Sequence, residues 1–207
     1  MAKLKSNNLA LEIRYVKLDV ENWIQYEILF LYKDQPIIQD VLLKRVNEHW
    51  RERSFGAFKA NECDQDELID TIQEALDTDE PRYYQPTDPD FILAIYPNEI
   101  FPFMPSNLQL VWSSDEIIQQ DEDHELIREV AGGRLPDDLF TLILMVDTYN
   151  FGDERAYSSE GPALILLPRR HELRQFLSEL KKEYVEFCKT WEIELPSYAK
   201  NINPDDE

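Results

Sequence analysis

Three histidines, two cysteines and a large excess of carboxylates are the groups in this chain that could do chemistry. A zinc site would draw on His49, His124, His171 and Cys63, because zinc takes about four nitrogen or sulfur ligands in a tetrahedron. No two of these histidines share a helix face at a spacing of four, and no Cys-x-x-Cys pair occurs. The zinc reading therefore lacks its spacing signature. Paired carboxylates are commoner: Asp64-x-Asp66, Asp77-x-Asp79, Asp88-x-Asp90 and Asp121-x-Asp123. Such pairs could offer hard oxygen ligands to magnesium or calcium, but none continues into an EF-hand loop. In so acidic a chain they are read as solvated surface acids. Glu179-x-Lys181 has the spacing of a metal-dependent nuclease, but it falls on a helix and the overall charge is wrong for a DNA enzyme.

Nucleophile candidates fare no better. Cys188 lies on an apolar helical stripe and reads as an inert core thiol. Cys63 sits between Glu62 and Asp64, which oppose the thiolate. Ser158 and Ser159 fall in a polar stretch that reads as a hairpin loop. The phosphate-binding loop, the dinucleotide fingerprint, the nucleophile elbow and the His-Glu-x-x-His zinc motif are all missing. No catalytic residue, metal ligand or cofactor is assigned.

The acids themselves are more informative. Residues 61–90 hold eleven acidic side chains against a single base, Arg82. An aromatic group follows: Tyr83, Tyr84, Phe91, Tyr96, Phe101 and Phe103, with Met104. Acids beside Tyr, Phe and Met suit the recognition of a basic protein. The competing reading is that the aromatics are core and the acids keep the protein soluble. A narrower version of the binding idea is a helix whose acids imitate nucleic-acid phosphates.

Composition bounds the partners. The chain has 207 residues with 21 basic and 42 acidic side chains, a net charge of −21. Nonspecific nucleic-acid affinity comes from Lys and Arg neutralising phosphates, so no nucleic-acid partner is expected. The same charge disfavours anionic membranes. No apolar run approaches the eighteen residues of a membrane span, and residues 1–8 lack the apolar region of a signal peptide. Two cysteines make no disulfide framework. The expected location is cytoplasmic, with both thiols reduced.

The elements that would position these groups follow from periodicity. Leu9–Val20 and Trp23–Tyr32 read as a β-hairpin, with a phase slip at Tyr15–Val16 that marks a bulge. Asp34-Gln-Pro36 makes a turn. Ile37–Arg53 is ambiguous, with Asp40 a possible cap and Ile37–Ile38 a possible short strand, and Ser54–Ala60 is a further strand. Asp64-x-x-Glu67 has capping-box spacing and opens a helix whose apolar stripe is Leu68, Ile69, Ile72, Ala75 and Leu76. Phe91–Tyr96 is a strand with Leu108–Trp112 as its hairpin partner. Ser113-x-x-Glu116 opens short helices that stop at Gly132-Gly133. Leu139–Tyr149 is apolar on both faces, as in a central strand, and Ala163–Leu167 returns beside it. Leu173, Phe176, Leu177, Leu180, Tyr184, Phe187, Cys188 and Trp191 then form one stripe on a long final helix.

The fold class expected is α+β: an antiparallel sheet built from hairpins, with helices packed on it and a long C-terminal helix. One domain spans 1–195, and a polar, frayed tail follows over 196–207. The leading functional expectation is a non-enzymatic acidic protein that binds a basic protein, in the manner of an immunity protein, an inhibitor or a regulator. Its binding residues would be Glu67, Asp70, Glu74, Asp77, Tyr83 and Tyr84. The alternatives are an enzyme that assembles carboxylate or histidine catalysis across the fold, and a homo-oligomeric scaffold. Oligomeric state is left open.

Overall fold

Ala2, Leu4, Leu11, Ile13, Ile24, Tyr26, Ile28 and Phe30 alternate along three consecutive strands and point to one side. They belong to the first of two antiparallel sheets in the computed structural model, which describes residues 1–18, 23–43, 54–62, 67–86, 91–98, 138–152 and 161–201. Sheet one contains β1 (Ala2–Ser6), β2 (Leu9–Leu18), β3 (Ile24–Tyr32), β4 (Gln35–Pro36) and β5 (Phe58–Glu62). Its order is β1-β2-β3-β4, and β5 also pairs with β3. The α+β class is as expected, but the strands divide between two sheets.

The hairpin of β2 and β3 has the slip that the sequence implied. Register shifts between Tyr15 and Lys17, which leaves Val16 unpaired. An extra residue of this kind bends the strand and raises its twist. Strand β1 was not foreseen, since residues 1–8 were read without a strand. Its turn onto β2 uses Asn7, at φ 54°, and asparagine tolerates this left-handed conformation better than most residues. Lys33 and Asp34 turn β3 into β4 with both φ values positive, 50° and 60°, as a tight hairpin requires. Ile37 and Ile38 lie outside any strand, and Asp40–Leu42 is a single turn of 3-10 helix. Asp40 Oδ1 accepts the Gly56 N–H at 2.6 Å, so this side chain ties two turns together; the rest of the ambiguous stretch, residues 44–53, lies outside the described residues.

Helix α1 (Glu67–Thr78) comes next; its expected cap, Asp64, lies outside the described residues. Sheet two contains β6 (Arg82–Tyr84), β7 (Phe91–Pro97), β8 (Phe140–Val146) and β9 (Ala163–Leu166), in that order. β7 pairs with β8 along its whole length and with β6 through Leu93–Ile95. The partner expected for it, Leu108–Trp112, lies outside the described residues, as do the helices expected from Ser113 to Ala131. β8 is central as its two-sided apolarity implied: Phe140, Leu142, Leu144 and Val146 are fully buried on one face, while Ile143 and Met145 are half-buried on the other.

Helix α2 (Arg170–Thr190) buries the whole expected stripe from Leu173 to Cys188, and Trp191, at its C-cap, is 41% exposed. Glu172 starts it well by accepting the Arg169 N–H at 2.7 Å, one of the donors a helix N-terminus leaves open. α2 lies against β1 and β2, α1 lies against β6 and β7, and the two helices touch. Buried residues of both sheets and both helices form one continuous cluster. Tyr26 joins the sheets at its centre, edge-on to Phe91 with ring centroids 6.0 Å apart.

Two carboxylates of α2 close the edge of sheet one. The Lys3 N–H donates to Glu179 Oε2 at 3.2 Å, and the Tyr15 N–H donates to Glu183 Oε1 at 3.1 Å. The terminal ammonium of Met1 stands 2.6 Å from Glu183 Oε2. Of the expected tail, 196–207, the first six residues are described. Pro196 is buried, Ser197–Asn201 is a 3-10 turn, and Lys181 Nζ lies 4.9 Å from the Tyr198 ring. A half-buried tyrosine supplies the apolar anchor that a reading by polarity overlooked.

Candidate protein-binding surface

Helix α1 has one buried face and one acidic face. Leu68, Ile69, Thr71, Ile72, Ala75 and Leu76 are buried. At 3.6 residues per turn this leaves Glu67, Asp70, Glu74 and Asp77 outward, and all four are exposed. Carboxylates three and four apart are neighbours on a helix surface and repel by a few tenths of a kcal/mol per pair.

Surrounding groups neutralise this face only in part. Arg82 Nε donates to Glu74 Oε2 at 3.0 Å, and its Nη1 to Glu80 Oε2 at 3.1 Å. These bonds, the one to Glu80 first, hold the guanidinium above its ordinary value against some desolvation. Gln73 Nε2 donates to Asp77 Oδ2 at 2.8 Å. Asp70 has no cationic partner among the described residues. The C-terminal end of the helix, the negative end of its dipole, bears Asp77, Asp79 and Glu80. Arg170 offsets them by donating to the Leu76 carbonyl at 2.8 Å and pairing with Asp79. Asp79 also adopts φ 55°, the left-handed conformation that ends many helices.

This geometry makes Asp77→Lys a stabilising change. It replaces an exposed acid at the negative end of the helix with a cation and removes repulsion from Glu74 and Glu80. The expected gain is about 0.3–1 kcal/mol at low ionic strength, shrinking with added salt. Urea unfolding at two salt concentrations measures it; an unchanged midpoint at low salt would contradict the electrostatics described.

The tyrosines separate. Strand alternation sends Tyr83 and Tyr84 to opposite faces of sheet two. Tyr83 is 63% exposed and stands edge-on to half-buried Tyr96, centroids 5.7 Å apart. Tyr84, expected among the binding residues, is a core side chain: 2% exposed, against Phe91, with its hydroxyl 3.0 Å from that of Tyr26. A buried phenol needs such a partner, and it has no surface to offer a ligand. Of the six residues expected, Glu67, Asp70, Glu74, Asp77 and Tyr83 are exposed and Tyr84 is buried. Arg82, which joins the acids to β6, was read only as the lone base of the belt.

The other chemical candidates are occupied or lie elsewhere. Glu179 and Lys181 serve structure: Glu179 accepts the Lys3 N–H, and Lys181 Nζ donates to Gln73 Oε1 at 2.7 Å. Cys188 is buried and forms no disulfide, and His171 is exposed in the first turn of α2. Cys63, His49, His124, Ser158, Ser159 and three of the Asp-x-Asp pairs lie outside the described residues. Among the described residues no three His, Cys, Asp or Glu side chains are grouped to hold a metal ion. No described helix is long and apolar enough to cross a membrane.

Sheet one carries a second polar region, on the face away from the core. Glu12 and Glu27 are buried there, at 7% and 3% exposure. Glu12 has Lys3 at 3.8 Å and Arg14 at 3.4 Å, while Glu27 Oε1 accepts the Ser54 N–H at 3.1 Å. Asp34, at the hairpin tip, is held below the ordinary aspartate value, chiefly by the hydrogen bond from Lys3 and then by the charges of Lys3 and Lys5. Comparison with known proteins returns no match: no family profile, no curated protein and no solved structure resembles this chain.

Proposed function

We propose that this protein is a non-enzymatic, cytoplasmic binding protein whose α1–β6 face engages a basic protein partner, in the manner of an immunity protein, an inhibitor or a regulator. The observation that supports the reading is the outward row of Glu67, Asp70, Glu74 and Asp77 on α1, all four exposed; β6, the strand packed beside that helix, leaves Tyr83 63% exposed. Aromatic anchors are enriched at protein interfaces, while complementary charge speeds encounter and selects the partner. A net charge of −21 steers cationic surfaces toward the protein and turns nucleic acids away.

Affinity capture from the native cell extract identifies the partner, and binding kinetics test the face. Asp70→Lys combined with Asp77→Lys is expected to slow association and flatten its salt dependence. Tyr83→Ala is expected to speed dissociation. Glu74 is a poorer choice, because Arg82 already neutralises it. Unchanged association and dissociation rates in these variants would make the acidic face a solvated surface and end this reading.

A further inference from the structure

Sheet two ends at β6 on one side and at β9 on the other. The Val146 N–H donates to the Pro162 carbonyl, and the Phe140 N–H to the Pro168 carbonyl, both at 2.9 Å. Between them Leu164 faces Leu144 and Leu166 faces Leu142. Hydrogen-bonded and non-hydrogen-bonded pairs alternate along an antiparallel ladder. The even-numbered residues of β9 therefore turn their N–H and C=O groups to β8, and Ala163, Ile165 and Leu167 turn theirs to the open side. The Leu167 N–H donates to Ser6 Oγ at 3.2 Å. Ala163 and Ile165 have no partner on that side among the described residues.

Proteins protect such edges with charge, proline or a bulge. β1, an edge of sheet one, carries Lys3 and Lys5, and its Lys3 N–H donates to Glu179. β9 has none of these devices. No charged side chain occurs from Gly161 to Pro168. Its register with β8 runs without a shift. Pro162 and Pro168 face β8, so the N–H groups of Ala163 and Ile165 stay on the open edge. Ala163 and Leu167 are exposed and Ile165 is half-buried on the outer face, which Ile143 and Met145 continue on β8.

A bare edge calls for an extended strand, and side-chain size selects which one. Gly161 and Ala163 are small; Ile165 and Leu167 are large. Antiparallel pairing of two identical strands about Leu164 sets Ala163 opposite Ile165 of the second copy, and Gly161 opposite Leu167. Small meets large at each outward position, on both sides of the axis. We infer that β9 pairs with β9 of a second copy of this chain, about a two-fold axis at Leu164. The free donors and acceptors of Ala163 and Ile165 then all find partners, and two four-stranded sheets become one. The contact is the same patch on both copies, so it closes at a dimer. Repulsion between the acidic copies is screened beyond about 8 Å at physiological ionic strength. The inference goes beyond the α1 reading and does not depend on it, because β6 and β9 are opposite edges of the sheet.

Sedimentation velocity over a concentration series compares the wild type with Ala163→Lys, an exposed position; circular dichroism confirms that the variant is folded. The wild type is expected to pass from monomer to dimer and no further, and Ala163→Lys to stay monomeric. Added salt should raise the dimer fraction, whereas it weakens the docking of a basic partner. Cross-linking reads the register in a Cys63→Ser background. Residues facing each other in a hydrogen-bonded pair have Cα atoms about 5.5 Å apart, within disulfide reach. Ala163→Cys mixed with Ile165→Cys should therefore form a disulfide-linked dimer on mild oxidation, and neither variant should do so alone. A wild type that stays monomeric throughout the micromolar range overturns the inference, as does a dimer that survives Ala163→Lys or cross-links within a single variant. A monomer whose captured partner is lost with Ala163→Lys also overturns it, and gives the edge to an extended segment of that partner.

Discussion

Phe176→Ala is expected to lower the unfolding free energy by about 3–5 kcal/mol. Phe176 is 1% exposed, on the face of α2 that also buries Leu173, Leu177, Leu180 and Tyr184. Removing the ring forfeits its transfer free energy and leaves a cavity that a close-packed interior fills only in part. The loss falls where both sheets and both helices share one core, so the whole transition should shift instead of a local segment melting first. Leu180→Ala, at a fully buried position, should cost about 2–5 kcal/mol. Chemical denaturation with far-UV circular dichroism reads both. If both variants unfold with the wild type, α2 lies outside the core.

Gly56→Ala should also be costly, for a different reason. Gly56 has φ +72°, a conformation that costs a residue with a side chain about 1–2 kcal/mol. An added Cβ would stand 2.5 Å from Pro36 Cβ and 2.6 Å from the Ile38 carbonyl oxygen, closer than packed atoms sit. The strain and the overlap add, so the expected loss exceeds 1–2 kcal/mol. The variant must also part the two turns that Asp40 joins. Urea unfolding gives the magnitude, and a loss below 1 kcal/mol would mean that the turns yield easily.

What the sequence revealed was what depends on neighbours along the chain. The slip at Tyr15–Val16 was legible because a bulge inverts the in-out alternation at that point. The stripe on α2 was legible because seven buried side chains, Leu173 to Cys188, repeat over about four turns at helical spacing. β1 escaped notice because Ala2 and Leu4 are only two inward residues between lysines; the turn-forming Asn7-Asn8 after them was the available signal. The division into two sheets was not legible, because pairings such as Phe91 with Val146 join residues far apart in sequence. At the candidate surface, the outward acids of α1 follow from its apolar stripe alone. Tyr84 is the exception: adjacency in sequence suggests that it shares the surface with Tyr83, whereas a strand turns successive side chains to opposite sides.

The carboxylates of Glu179 and Glu183 that close the edge of sheet one belong to the last long helix, whereas their partners, Lys3 and Tyr15, are among the first residues made. During synthesis at about 5–20 residues per second, the 168 residues that follow Tyr15, up to and including Glu183, take roughly 10–30 s to appear. Until α2 emerges, the edge at Lys3 and Tyr15 stays open and the part of β1 and β2 that α2 covers stays bare. Such edges are templates for pairing with other chains. A ribosome stalled before α2, or a message truncated there, would release a fragment with that edge exposed, and such a fragment is expected to aggregate.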